Sequence, residues 1–221
     1  MEEASRALAQ GEYLAGAVMS REMLMLARSE NDFERMKRIC MPLLEAQRFL
    51  RQAALEAGVI HQIAISSDIP EEPGTECFLF APNFVGADAL RFRNAANDAG
   101  IAPFVLTREP TTSKNQWPIV GVAQRVVRIR IDPPPNDTPT PKWFSWAGEQ
   151  LGDQAIRDAL DAGSPEDPRA WIVDDFLDRL DACPEHEKLI MALADACENA
   201  VGQPLPTTKR RRGLIDDPYS F

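Results

Sequence analysis

ECFLFAPNFVGADALRFRNAANDAGIAPFVLT, residues 76–107, decides the fold. Its first part, ECFLFAP (76–82), is a continuous apolar run, the pattern of a strand buried on both faces. VGADALRFRNAANDAG (85–100) then changes period. Val85, Ala89, Phe92, Ala96 and Ala99 recur at helical steps, and Gly100 stands where a helix takes its C-cap. IAPFVLT (101–107) is a second apolar strand. Strand, helix, glycine and strand in that order make a βαβ unit, and a crossover of this length implies a parallel pair.

The turn inside this unit, APNFVGADA, holds one glycine, Gly86. A dinucleotide or phosphate loop needs several, so that the backbone can approach the phosphates. Asn83 or Gly86 is therefore read as helix-start chemistry. No GxSxG, GxxxxGK or HExxH motif occurs, and the chain has only two histidines, His61 and His186.

Outward from the unit, HQIAIS (61–66) alternates like a strand, and PIVGVAQRVVRIRID (118–132) supplies one long strand or two short ones, with Gly121 as a bulge. Within it Val127, Ile129 and Ile131 share one face, and Val126, Arg128, Arg130 and Asp132 the other; Arg125 falls on the apolar side. A one-sided sheet in water has such a face. A surface for an acidic partner or for phosphates has it too, and Arg91, Arg93 or Arg108 would extend it. A third reading is internal, with the acidic C-terminal helices folded back onto it.

Before the sheet, residues 3–28 read as one helix. A cap-rich break at 29–32 leads into a second helix over 32–57. Phe33, Met36, Cys40, Leu43, Leu50 and Ala54 draw a single stripe along it, suited to another helix of the same chain or to a second copy. Pro42 is expected to kink or restart this helix and Gly58 to end it. After the sheet, DPPPNDTPTP (132–141) reads as a stiff, extended linker, followed by helices at about 142–162, 168–181 and 185–201. The expected class is mixed α/β (α+β). The expected division is a helical hairpin (1–58), a small mixed sheet with one βαβ unit (59–132), a linker (133–141), an acidic helical subdomain (142–203) and a basic and apolar tail (204–221).

The formal net charge is -10, and it is uneven: residues 134–208 carry 5 basic and 15 acidic side chains, whereas residues 1–60 carry 8 and 9. That balance argues against broad nucleic-acid binding. The N-terminal residues lack a basic segment followed by an apolar run, so no secretory signal is expected, and no stretch approaches the ~18 consecutive apolar residues of a membrane span. Four widely spaced cysteines in apolar surroundings predict reduced thiols and a cytoplasmic location.

Candidate sites are few. Cys183 and His186 have the spacing of a metal-ligand pair, with Cys197 further on, but structural zinc needs four ligands; no metal, cofactor or catalytic residue is assigned. Asp174, Asp178 and Asp181 are read as a solvated helix face rather than a magnesium site. Trp143, Phe144 and Trp146 are expected to anchor a helix to the body. Lys209, Arg210, Arg211 and Arg212, followed by Leu214, Ile215, Tyr219 and Phe221, form a terminal peptide suited to docking. The expectation is a non-enzymatic assembly component binding a protein partner or itself through the helical stripe and the tail peptide. Partner-binding residues would be Arg128, Arg130 and those of the tail. A nucleic-acid accessory using the same arginines is the alternative, and an enzyme with a pocket at residues 83–87 the third.

Overall fold

The two apolar runs become strands β2 (Cys77–Phe80) and β3 (Phe104–Arg108), paired in parallel with Cys77 opposite Phe104, and the helix between them is α4 (Gly86–Asp98). The computed structural model describes residues 2–110 and 115–207. Among these, β1 (Ile60–Ile63) pairs in parallel with β2, while β4 (Trp117–Val122) and β5 (Val126–Ile131) continue the sheet antiparallel, giving five strands in the order β1-β2-β3-β4-β5. Seven helices accompany them: α1 (Glu2–Ala9), α2 (Tyr13–Ser29), α3 (Phe33–Glu56), α4, α5 (Pro141–Asp161), α6 (Arg169–Leu180) and α7 (Glu187–Ala200). The chain is of the mixed α/β class, and none of the described helices is long and apolar enough to cross a membrane.

β2 shows why its run is unbroken. Cys77 and Leu79 enter a large core shared with α2, α3, α5, α6 and α7, while Phe78 and Phe80 enter a smaller one with Ile63, Ala89 and Val105 beneath α4. Successive side chains of a strand point to opposite faces, so a sheet covered on both sides demands apolar residues at every position.

The sequence expectations differ from the structure at definite points. Residues 3–28 form two helices, because Gly11 at φ +80° cannot continue a right-handed helix. α3 runs through Pro42 without restarting. Proline removes one backbone bond there, and the burial of Met36, Ile39, Cys40, Leu43 and Leu44 holds the helix on both sides. Its stripe packs inside the chain between α2 and α7, so Phe33, Met36, Cys40 and Ala54 are not a docking face. Gly58, at φ +72°, follows the helix as expected.

Gly121 is not a bulge, since it pairs regularly with Val127. A Cβ at Gly121 would lie 2.3 Å from the carbonyl oxygen of Ala182, so glycine serves the close approach of the α6–α7 connection. The Pro-rich segment is not simply extended, because a 3-10 turn at Pro135–Asp137 bends it. Thr140 then accepts a hydrogen bond from Trp143 N as the N-cap of α5. Trp143 packs edge-on against Trp117 at 5.4 Å and Phe144 against Phe104 at 4.9 Å. These rings anchor α5 to the sheet, and the helices on either side of the Pro-rich segment share one core.

Candidate functional site

The acids of the C-terminal third meet cations from the N-terminal helices. On α2, Arg21 grips both carboxylate oxygens of Asp181 at 2.9 and 2.8 Å, and Arg28, two turns on, grips Asp174 at 2.7 and 2.9 Å. On α3, Lys37 reaches Glu198 and Arg48 reaches Glu187, each at 2.6 Å, and Arg51 pairs with Glu149. Asp178 is 6 % exposed; its carbonyl accepts from Arg125 N at 3.0 Å and its carboxylate lies 3.9 Å from Arg125 Nε. The aspartates of α6 are thus an ion-paired seam, not the expected solvated face.

Two arginines of the basic strand also have acidic neighbours within the chain. Arg125 meets α6, as the internal reading expects, and Arg128 is held by both oxygens of Glu109 at 3.0 Å. Arg130 is exposed. Lys209, Arg210, Arg211, Arg212, Leu214, Ile215, Tyr219 and Phe221 lie outside the described residues.

A second set of charges lies inside. α5 reads WAGEQLGDQA over 146–155, with Gly148 and Gly152 one turn apart and Glu149 and Asp153 beside them. Gly152 admits the ring of His186, for a Cβ there would stand 2.0 Å from its Cγ. Glu149 Oε2 and Asp153 Oδ1 each lie 3.3 Å from His186 Nε2. Nδ1 accepts from Leu189 N at 3.1 Å, capping α7. That bond uses the Nδ1 lone pair, so the ring proton belongs on Nε2, which lies near both carboxylates without completing a hydrogen bond to either. Lys188 Nζ stands 3.2 Å from Asp153 and 3.4 Å from Glu149. Burial holds His186 below the usual histidine range, although both carboxylates oppose it. Burial disfavours ionised Glu149, but Arg51, His186 and Lys188 outweigh that and keep its carboxyl below the usual range.

Glu149, Asp153 and His186 bring three ligand-type atoms within 4.8 Å of one another. A metal would need the Nε2 lone pair, which drives the ring proton onto Nδ1 and against the Leu189 N–H. Lys188 already supplies the cation. The geometry therefore favours an ion-pair network over a metal centre. The cysteines do not join it: all four are free and buried, and burial pushes Cys40 and Cys77 up to about 12 and raises Cys183 and Cys197 as well. Thiols so disfavoured as thiolates are neither nucleophiles nor ready ligands.

Beyond this knot lies an open groove of about 440 Å³ between α2, α3, α4, the β4–β5 turn and the α6–α7 connection. Leu14, Val18, Leu43 and Leu90 form its apolar wall, and Gln47, Asn94, Asn97 and Gln124 supply carboxamides. Arg93 lines it while only 9 % exposed, donating to the carbonyl of Asp181. Behind Arg93, voids of about 40 and 10 Å³ reach the carboxyl of Glu185 and then Arg51 and His186. Glu185 is 8 % exposed, and burial pushes its carboxyl up against the pull of Arg93 and Arg51.

No such cleft opens at residues 83–87. A Cβ on Gly86 would meet Val122 at 2.4 Å, and only about 20 Å³ remains beside it. The strand order never reverses, so the sheet lacks the switch point that makes a crevice. Asp88, not Asn83, starts α4: its carboxylate accepts from Val85 N at 2.9 Å, while Asn83 donates to the carbonyl of Ala64. Two parts of the site escape sequence reading. Arg93, grouped with Arg91 as surface charge, shares the inward face of α4 with Ala89 and Ala96. The paired glycines and acids of α5, both at four-residue spacing, are the signal that would have placed His186.

Comparison with known proteins finds no significant match to a family model, a curated protein or a solved structure.

Proposed function

We propose that this protein is a non-enzymatic contact component, an adaptor or structural subunit of a larger cytoplasmic assembly, that takes a protein partner in the groove between α2 and α4. The observation that carries this reading is the character of the groove. Its volume of about 440 Å³ suits a short segment of another chain. Its wall is apolar, its polar groups are carboxamides and the charged side chains of Arg21, Glu22, Arg93 and Asp181, and among the described residues no histidine, cysteine or serine lines it. The groove takes the place of the α3 stripe, which is buried. The peptide 209–221 is a second proposed contact element, acting by charge and by its aromatic end.

The experiment places a photo-crosslinking side chain at Val18, 46 % exposed on the groove wall, and at Leu160, 59 % exposed on α5, in cells expressing the full chain. One adduct of defined mass at Val18, absent at Leu160, is the expected result. No adduct at Val18, or the same adducts at both positions, contradicts the reading. For the tail, light scattering with and without residues 209–221 is expected to report a smaller particle after truncation.

A further inference from the structure

We infer that the groove recognises an acidic side chain of its partner, the carboxylate docking on the guanidinium of Arg93. This rests on the contact reading and names the chemistry of its anchor.

Arg93 is nine-tenths buried, and a guanidinium carries five N–H donors. One hydrogen bond to the backbone carbonyl of Asp181 is all it makes, and no carboxylate lies within ion-pair distance of it among the described residues. The other charges near it are already matched. Arg21, on the groove edge, is held by both oxygens of Asp181. Glu185, on the inner side, is 8 % exposed and forms no ion pair with Arg93. A buried cation left with open donors beside an open groove is complementary to an anion, and the guanidinium fork matches a carboxylate in two parallel hydrogen bonds. Asn97, one turn along α4 from Arg93, and Gln124, across the groove, can pair with backbone amides on either side of that carboxylate. A polyphosphate is disfavoured, because Glu22 and Asp181 also line the groove and the whole chain carries a net charge of -10.

The test is NMR of arginine Nε–H groups in the full chain, titrated with Ac-Ala-Glu-Ala-NH2, Ac-Ala-Gln-Ala-NH2 and inorganic phosphate. The Arg93 resonance is assigned by its loss in Arg93→Lys. A saturable shift with the glutamyl peptide, none with the glutaminyl peptide and a weaker one with phosphate is expected. Asn97→Asp, which sets a carboxylate beside Arg93, should weaken glutamyl-peptide binding by at least about tenfold while the chain stays folded. Equal response to both peptides, no response at Arg93, stronger binding of phosphate, or indifference to Asn97→Asp overturns the inference. A Val18 adduct without glutamyl-peptide binding removes this inference and leaves the contact reading. Peptide binding without the adduct supports the Arg93 site and removes the contact reading.

Discussion

Two sets of charges tie the helices together, and their exposure tells them apart. On the rim, Lys37 and Glu198 form a close pair while their side chains are 42 and 60 % exposed. Inside, His186 is 2 % exposed, slotted against Gly152 and bracketed by Glu149 and Asp153. Rim charges keep their hydration whether or not they pair, so they set which helices meet without holding them strongly. The His186 ring has lost its hydration, so it depends on its partners, although Glu149 and Asp153 keep 28 and 29 % of their side-chain surface in water. The difference teaches that the acidity of the C-terminal third has two uses: a weak seam at the surface and a small, exacting knot beneath it.

The largest expected break is Gly152→Ala. The new methyl would stand 2.0 Å from His186 Cγ, and the ring cannot retreat from its cap and its two carboxylates. Urea unfolding should show a loss of about 3 kcal/mol. His186→Ala should lose about 2 kcal/mol, from the void and the missing α7 cap. The two changes sharpen each other: in the His186→Ala background Gly152→Ala should be nearly harmless. Additive losses would mean that the slot is not what Gly152 provides.

pH separates the two buried titratable groups. His186 has its folded value below its unfolded one, so its contribution is present above about pH 6.5 and is lost as pH falls toward the lowered value. This slope should vanish in His186→Ala. Glu185 has its folded value raised, so it is best tolerated in acid, and stability falls as pH climbs from the ordinary carboxylate range through the raised value. Glu185→Gln should therefore gain about 1 kcal/mol at neutral pH, with the gain shrinking in acid. A loss at neutral pH would mean that Arg93 and Arg51 need the charge. The smallest effects belong to the rim. A double-mutant cycle on Arg28 and Asp174, about four-fifths and three-quarters buried, should give a coupling of about 1 kcal/mol. The cycle on Lys37 and Glu198 should give roughly 0.3 kcal/mol and disappear in high salt.

Periodic features were legible in the sequence. The βαβ unit, the two faces of β5 and the inward stripe of α3 each repeat with a period that one element imposes. Places where separate elements meet were not. Gly121 reads like a bulge because nothing in β4 announces that Ala182 will press on it. The aspartates of α6 read as solvated because Arg21 and Arg28 lie about 150 residues earlier, on a helix whose facing direction only the fold fixes. Arg93 sits on the apolar face of α4, and a charged residue at such a position looks like a break in the pattern rather than a member of it. The groove was illegible for the same reason, being assembled from five separate segments.

The central claim is that His186, held between Glu149, Asp153 and the start of α7, is a structural group that ties α5 to α7. Long-range 1H–15N NMR of the imidazole of His186 tests it most directly. The neutral ring with its proton on Nε2, persisting below the pH at which an ordinary histidine titrates, is the predicted result. A ring protonated at neutral pH, or one carrying its proton on Nδ1 with Nε2 free to bind a metal or take a proton, would contradict it.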